Sequence, residues 1–188
     1  MTVNGEVAQL GCSIEPGRDT VMLDSRPILQ DDKTYIVLNK PAGTITTASD
    51  THGRRTVMDC VAGVKARVFP VGRLDLDVEG VLLMTNDGEL AHRLIHPSYE
   101  VERVYIAWLR GRMRPETARR LEKGILLEDG MTAPAKAAIL HAGDNGSEVR
   151  LTLHEGRKRE VKRMCAAAGH PVRRLIRVDY GGPASGGI

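Results

Sequence analysis

The stretch Val71–Leu90, VGRLDLDVEGVLLMTNDGEL, decides how the chain is read. It sets Asp75, Asp77 and Glu79 at alternate positions, ahead of Gly80 and the apolar run Val81–Thr85. Three carboxylates at i, i+2 and i+4 of a strand would share one face and repel one another. The acids are therefore expected on a loop, with at most one turned inward, and Val81–Thr85 on the strand that follows. NDGELAHRLIHP then reads as a helix, with Asn86 and Glu89 as a capping box and Pro97 as its stop.

Three chemistries compete for the acids. DLDVEG has the acids and glycine of a calcium loop, but Leu83 and Asn86 stand where later ligands are needed. A DxD phosphatase needs its aspartates after a buried strand, whereas here the strand comes second. The third is covalent catalysis by one aspartate. Asp75 suits it: Gly72-Arg73 precedes, a rigid strand follows, and an anionic nucleophile needs a cation nearby, which Arg73 or a basic helix could supply. Asp77 and Glu79 are expected to face solvent or make local contacts.

Outward from this block, strands and helices alternate with short connections. TYIVLNKPAG contains a buried strand, Tyr35–Leu38; TVMDCVAGV reads as a short helix; RVYIAWLRG is a strand. RPETARRLEKG is a helix, SEVRLTLHEG a half-buried strand, REVKRMCAAAG a helix ending at Gly169, and VRRLIRV a last strand. The pattern is α+β with a mixed, largely antiparallel sheet and flanking helices. Residues 1–27, broken by Asn-Gly and Pro-Gly, are too short to bury a core alone, so a first segment 1–27 and a main domain 28–188 are expected.

The 188 residues carry a net charge of +3. From Gly156 to Val178 there are eight Lys or Arg against one acid, Glu160, so the remainder is net negative. That segregation points to a polyanion. On the basic helix Arg159, Lys162 and Arg163 share one face and Val161, Met164, Cys165 and Ala168 the other, which gives an anchored helix with a stripe of cations. Arg157, Lys158, Arg159, Arg163 and Lys40 are the candidate contacts to the phosphates of such a polyanion. Tyr105 is either core or a stacking platform for a base. Cys12, Cys60 and Cys165 lack any CxxC pairing, and no apolar run approaches membrane-spanning length. His92 and His96 have zinc-pair spacing but no evident third ligand. A cytoplasmic monomer without metal or membrane association is expected.

VGRLDLDVEGVLLMTNDGELAHRLIHP resembles the catalytic motif of the RsuA/RluB-type pseudouridine synthases. NKPAGTITT, VERVYIAWLRG and HEGRKREVKRMCAAAGHPVRRLIRV resemble three further blocks, in the same order. The resemblance implies a pseudouridine-synthase fold and isomerisation of uridine in ribosomal RNA, of the large subunit rather than the small, without cofactor or metal. It implies Asp75 as nucleophile, Tyr105 packed on the target base, and Lys162 paired with the catalytic carboxylate. Arg73 joins them as a substrate-binding residue. The partner is ribosomal RNA or a pre-ribosomal particle. The rival expectations are a non-catalytic rRNA-binding or assembly protein with the same fold, or a small-subunit 16S rRNA pseudouridine synthase. Residues 1–27 resemble the second half of an S4-type RNA-binding domain, without its first pair of basic helices. The family also continues past VDYGGP, where this chain stops at Ile188.

Overall fold

The computed structural model describes residues 1–29 and 31–182, so the residues after VDYGG, where the resemblance thins, lie outside the described residues. The chain divides into two units, Met1–Lys33 and Thr34–Ile188, a boundary six residues later than the sequence suggests. The first unit is a small antiparallel sheet of β1 (Thr2–Val3), β2 (Glu6–Val7), β3 (Val21–Leu23) and β4 (Arg26–Pro27), in the order β2-β1-β3-β4.

The second unit runs β5 (Tyr35–Lys40), β6 (Phe69–Val71), β7 (Glu79–Thr85), α1 (Gly88–Ile95), β8 (Arg103–Leu109), α2 (Pro115–Glu122), β9 (Leu126–Leu127), β10 (Gly130–Met131), β11 (Lys136–Gly143), β12 (Gly146–Leu153), α3 (Glu160–Ala167) and β13 (Val172–Tyr180). Among the described residues its main sheet has the order β11-β12-β8-β13-β7-β5, with β6 also paired to β7. All pairings are antiparallel except β13 with β7. β5 covers one edge of β7 from Gly80 to Thr85, so β6 and β13 share the other edge. This is the expected α+β sheet. No helix among the described residues is long and apolar enough to cross a membrane.

Alternation along β7 sorts its side chains between two layers. Leu82 and Met84 enter the main core with Val149, Leu151 and Leu153 of β12 and Val161, Met164 and Cys165 of α3. Val81 and Leu83 turn to the opposite face, against Ala91 and Leu94 of α1 and Tyr180 of β13. Gly80 is required where β13 arrives. It has φ +105°, and a Cβ there would lie 2.1 Å from the Arg177 carbonyl oxygen. Any side chain would force the two strands apart just below the acidic loop.

Several local expectations change. β5 is an edge strand, so only Ile36 and Leu38 pack against the core, while Tyr35 and Val37 are exposed. The helix cap is Asp87, whose Oδ1 accepts from the Leu90 N–H at 3.2 Å; Asn86 instead accepts from the Thr34 N–H at 2.8 Å. The expected helix in TVMDCVAGV is a single 3-10 turn, Asp59–Val61.

Candidate active site

The acidic stretch is a loop up to Val78 and a strand from Glu79. All three acids lie beside cations, and two of them share one. Glu79 takes both ends of the Arg174 fork, at 3.1 and 3.0 Å. Lys162, on α3, donates to Asp77 Oδ1 at 2.5 Å and lies 3.3 Å from Asp75 Oδ2. Arg159 Nε is 4.0 Å from the same Asp75 oxygen. The bond from Lys162 holds the Asp77 carboxyl below its usual range, although its side chain is 73% exposed. Lys162, by contrast, is nearly buried, with a side chain only 14% exposed. One ammonium thus spans two carboxylates and fixes their loop against α3.

The loop is also held from beneath, and this overturns one expectation. Lys40 is fully buried and does not reach solvent or a phosphate. Its ammonium donates to the carbonyls of Val78 at 2.8 Å and Pro41 at 3.1 Å, and lies 3.5 Å from that of Leu76. Burial lowers its pKa, against the pull of the nearby Asp77 and Asp75 charges. Thr46 completes the support: its hydroxyl donates to the Leu74 carbonyl at 2.7 Å and accepts from the Leu74 N–H at 3.2 Å. Sequence shows a lysine before a turn; it does not show two carbonyls from a distant loop joining that of Pro41 around it.

Asp75 opens into a cleft of about 400 Å³ lined also by Arg73, Tyr105, Glu160, Lys162 and Arg177. Tyr105 is half-buried, its body packed on the main core and one side on the cleft. The sheet register explains why these residues meet: Lys40 pairs with Gly80, Gly80 with Arg177, Arg177 with Tyr105 and Tyr105 with Leu151. One row across five strands therefore runs under the acidic loop. Arg73 is exposed at the rim and, among the described residues, makes no ion pair, so the cations beside Asp75 are Lys162 and Arg159 instead.

The basic segment separates into two groups. Lys158 and Arg159 are exposed beside the cleft. Arg157 is spent inside the fold: it donates to Glu155 at 2.9 Å and to the carbonyls of Met131 and Gly130 at 2.6 and 3.2 Å. Arg163 is paired with Asp129 at 2.9 Å. Their expected role on RNA gives way to one of fixing the β9–β10 turn against α3. Arg177 and Glu160, both nearly buried in the cleft wall, were not singled out from sequence. A lone acid at the start of a basic helix was the available signal for Glu160.

Residues 34–167 match the family described as RNA pseudouridylate synthase. The chain belongs to that family. It is 43% identical to ribosomal large subunit pseudouridine synthase B of Bacillus subtilis (strain 168), over 95% of this chain and 74% of that protein. Against the protein of the same name from Xanthomonas campestris pv. campestris it is 40% identical, over 95% of this chain and 38% of the longer relative. The crystal structure of a pseudouridylate synthase matches with TM-score 0.72 at 32% identity, covering 96% of this chain and 77% of that one. A chain of an H/ACA ribonucleoprotein bound to a substrate RNA containing 2'-deoxyuridine shares the fold at TM-score 0.57 and 16% identity, over 78% of this chain and 47% of that one. The pseudouridine synthase thus carries its cleft on a sheet whose fold these structures share.

Proposed function

We propose that this synthase converts specific uridines of ribosomal RNA, in the large subunit, to pseudouridine, with Asp75 as nucleophile. The observation that carries the reading is the Asp75 carboxylate in the cleft, 3.3 Å from a nearly buried ammonium and lined up with Tyr105. The names of the relatives supply the RNA class. The reaction balances without any carrier. The bond from ribose C1′ to uracil N1 breaks, the base turns, C1′ joins C5, C5 loses a proton and N1 gains one. Lys162 and Arg159 offset the charge of Asp75, so nucleophile and substrate phosphates can approach. The uridine must leave its stack to reach a carboxylate in a cleft, at a cost of a few kcal/mol, and the Tyr105 ring is the surface that offsets it. Arg73 and Lys158, exposed at the rim, are the cations placed to meet the backbone. Residues 1–27 fit part of an S4-type RNA-binding segment, in which Arg18 pairs with Glu15 at 2.9 Å on the surface.

Tritium release from rRNA labelled at uridine C5 tests the activity, and mapping pseudouridine in rRNA with and without the gene identifies the position. Absence of release from every rRNA substrate would favour the non-catalytic rival. Tyr105→Phe is expected to bind RNA like wild type because the stacking face remains. Tyr105→Ala is expected to lose about 1–3 kcal/mol of base stacking. Equal binding and turnover for the two variants would make Tyr105 ordinary core.

A further inference from the structure

Beside Lys162 the cleft wall holds an acid pair that the chemistry of Asp75 does not employ. Glu155 follows β12, and Glu160 opens α3 and is 5% exposed. Glu160 Oε2 accepts from the Arg157 N–H at 3.1 Å, while Oε1 is buried without a donor. Glu155 already accepts from the Ala133 N–H at 2.7 Å and from Arg157 Nε at 2.9 Å. Arg157 ties the two carboxyl groups together, its backbone N–H on Glu160 and its Nε on Glu155. Two carboxylates side by side repel, and neither carries a donor for the other. A proton on Glu160 would give the buried Oε1 the partner it lacks, in a hydrogen bond to Glu155.

The preceding residue shows what the pair holds. Arg159, immediately before α3, has φ +52°, a left-handed conformation that an arginine keeps only when its surroundings impose it. That turn carries the Arg159 and Lys162 cations. We propose that Glu160, held as a neutral acid donating to Glu155, is a positioning residue for the isomerisation: it locks the strained first turn of α3 so that Arg159 and Lys162 stand opposite Asp75. The proposal rests on Asp75 being the nucleophile. When the proton leaves, two carboxylates, one of them buried, repel under the turn and Lys162 shifts off Asp75.

Other charges surround the pair on several sides. Arg157 faces it from the loop after β12, and Arg163 from α3 itself, with Asp129 of the β9–β10 turn behind. Arg103 of β8 and Arg177 of β13 line the same cleft. Burial and the Glu155 charge outweigh these cations and raise the Glu160 carboxyl to about 8.

The test is kcat and KM by tritium release for wild type, Glu160→Gln and Glu160→Ala, from about pH 6.5 to 9.5, a range that brackets the titration. Wild-type kcat is expected to fall about tenfold between pH 7 and pH 9, with KM nearly constant, as one group near 8 loses its proton. Glutamine donates to Glu155 and accepts from the Arg157 N–H without titrating, so it rescues the alkaline fall. Alanine is slow at every pH while its circular dichroism stays native; if it does not fold, the glutamine comparison decides alone. Parallel falls for wild type and Glu160→Gln would overturn the proposal, as would a glutamine variant as slow as alanine. Failure of the Asp75 reading shows separately, as undiminished release by Asp75→Asn.

Discussion

Asp75→Asn is expected to abolish tritium release, by at least about 10⁴-fold, the scale on which enzymes lose turnover when a covalent nucleophile is removed. Asparagine preserves the shape of the loop but is a poor nucleophile. The fold is expected to survive, because the loop is held by other contacts: Lys40 on Val78, Thr46 on Leu74, and Lys162 on Asp77. RNA binding is expected to persist for the same reason, since Arg73, Lys158 and Arg159 are untouched. Single-turnover release at saturating enzyme separates chemistry from binding. A variant that isomerises at the wild-type rate would remove Asp75 from the mechanism. Asp77→Asn, by comparison, retains a side chain that can accept from Lys162 and is expected to cost far less.

Lys40→Met is expected to give the largest loss of stability. Methionine has similar length and fills the tunnel, so the cavity contribution is small and the polar contribution dominates. The substitution leaves the Val78 and Pro41 carbonyls without their charged donor, each worth about 1.5–3 kcal/mol. It also relieves the burial of an ammonium, whose cost shows in its lowered pKa. The net loss is expected at about 2–4 kcal/mol, read as a lower urea midpoint with unchanged slope. Below the denaturation threshold the Leu76–Val78 segment is no longer tethered, so kcat should fall while RNA affinity holds. An unchanged midpoint would mean that the three carbonyls find other donors.

The block from Asp75 to Pro97 was legible because its signals are local, an apolar run of strand length and a proline stop, though the cap falls on Asp87 rather than Asn86. The α3 stripe was legible for the same reason, its periodicity separating Val161, Met164 and Cys165 from the cations. What was hidden depends on long-range pairing. Lys40 and Arg157 look like surface cations in sequence, and nothing local says that the first meets carbonyls 36 and 38 residues away or that the second closes the β9–β10 turn. β11 was missed because KAAILHAG is alanine-rich and carries a register shift between Ile139 and His141 that breaks its alternation. β6 hides behind Pro70, which lacks the N–H of a regular ladder. The division of Lys162 between Asp75 and Asp77 is a matter of ångströms and has no sequence signature.

The span of the Lys162 contact has a consequence for the birth of the enzyme. Lys162 reaches Asp77 across 85 residues, and Arg177 reaches Val81 across 96. As the chain leaves the ribosome, Asp75 emerges long before either cation, and β7 waits without its parallel neighbour. Pairings this distant form late, after the loop-closure entropy has been overcome. The carboxylate of Asp75 gains its neighbouring cations only when α3 docks. If Asp75 is the nucleophile, as proposed, a chain stalled before α3 has no competent site. Stalling synthesis before and after residue 177 and assaying the tethered chains would expose that step.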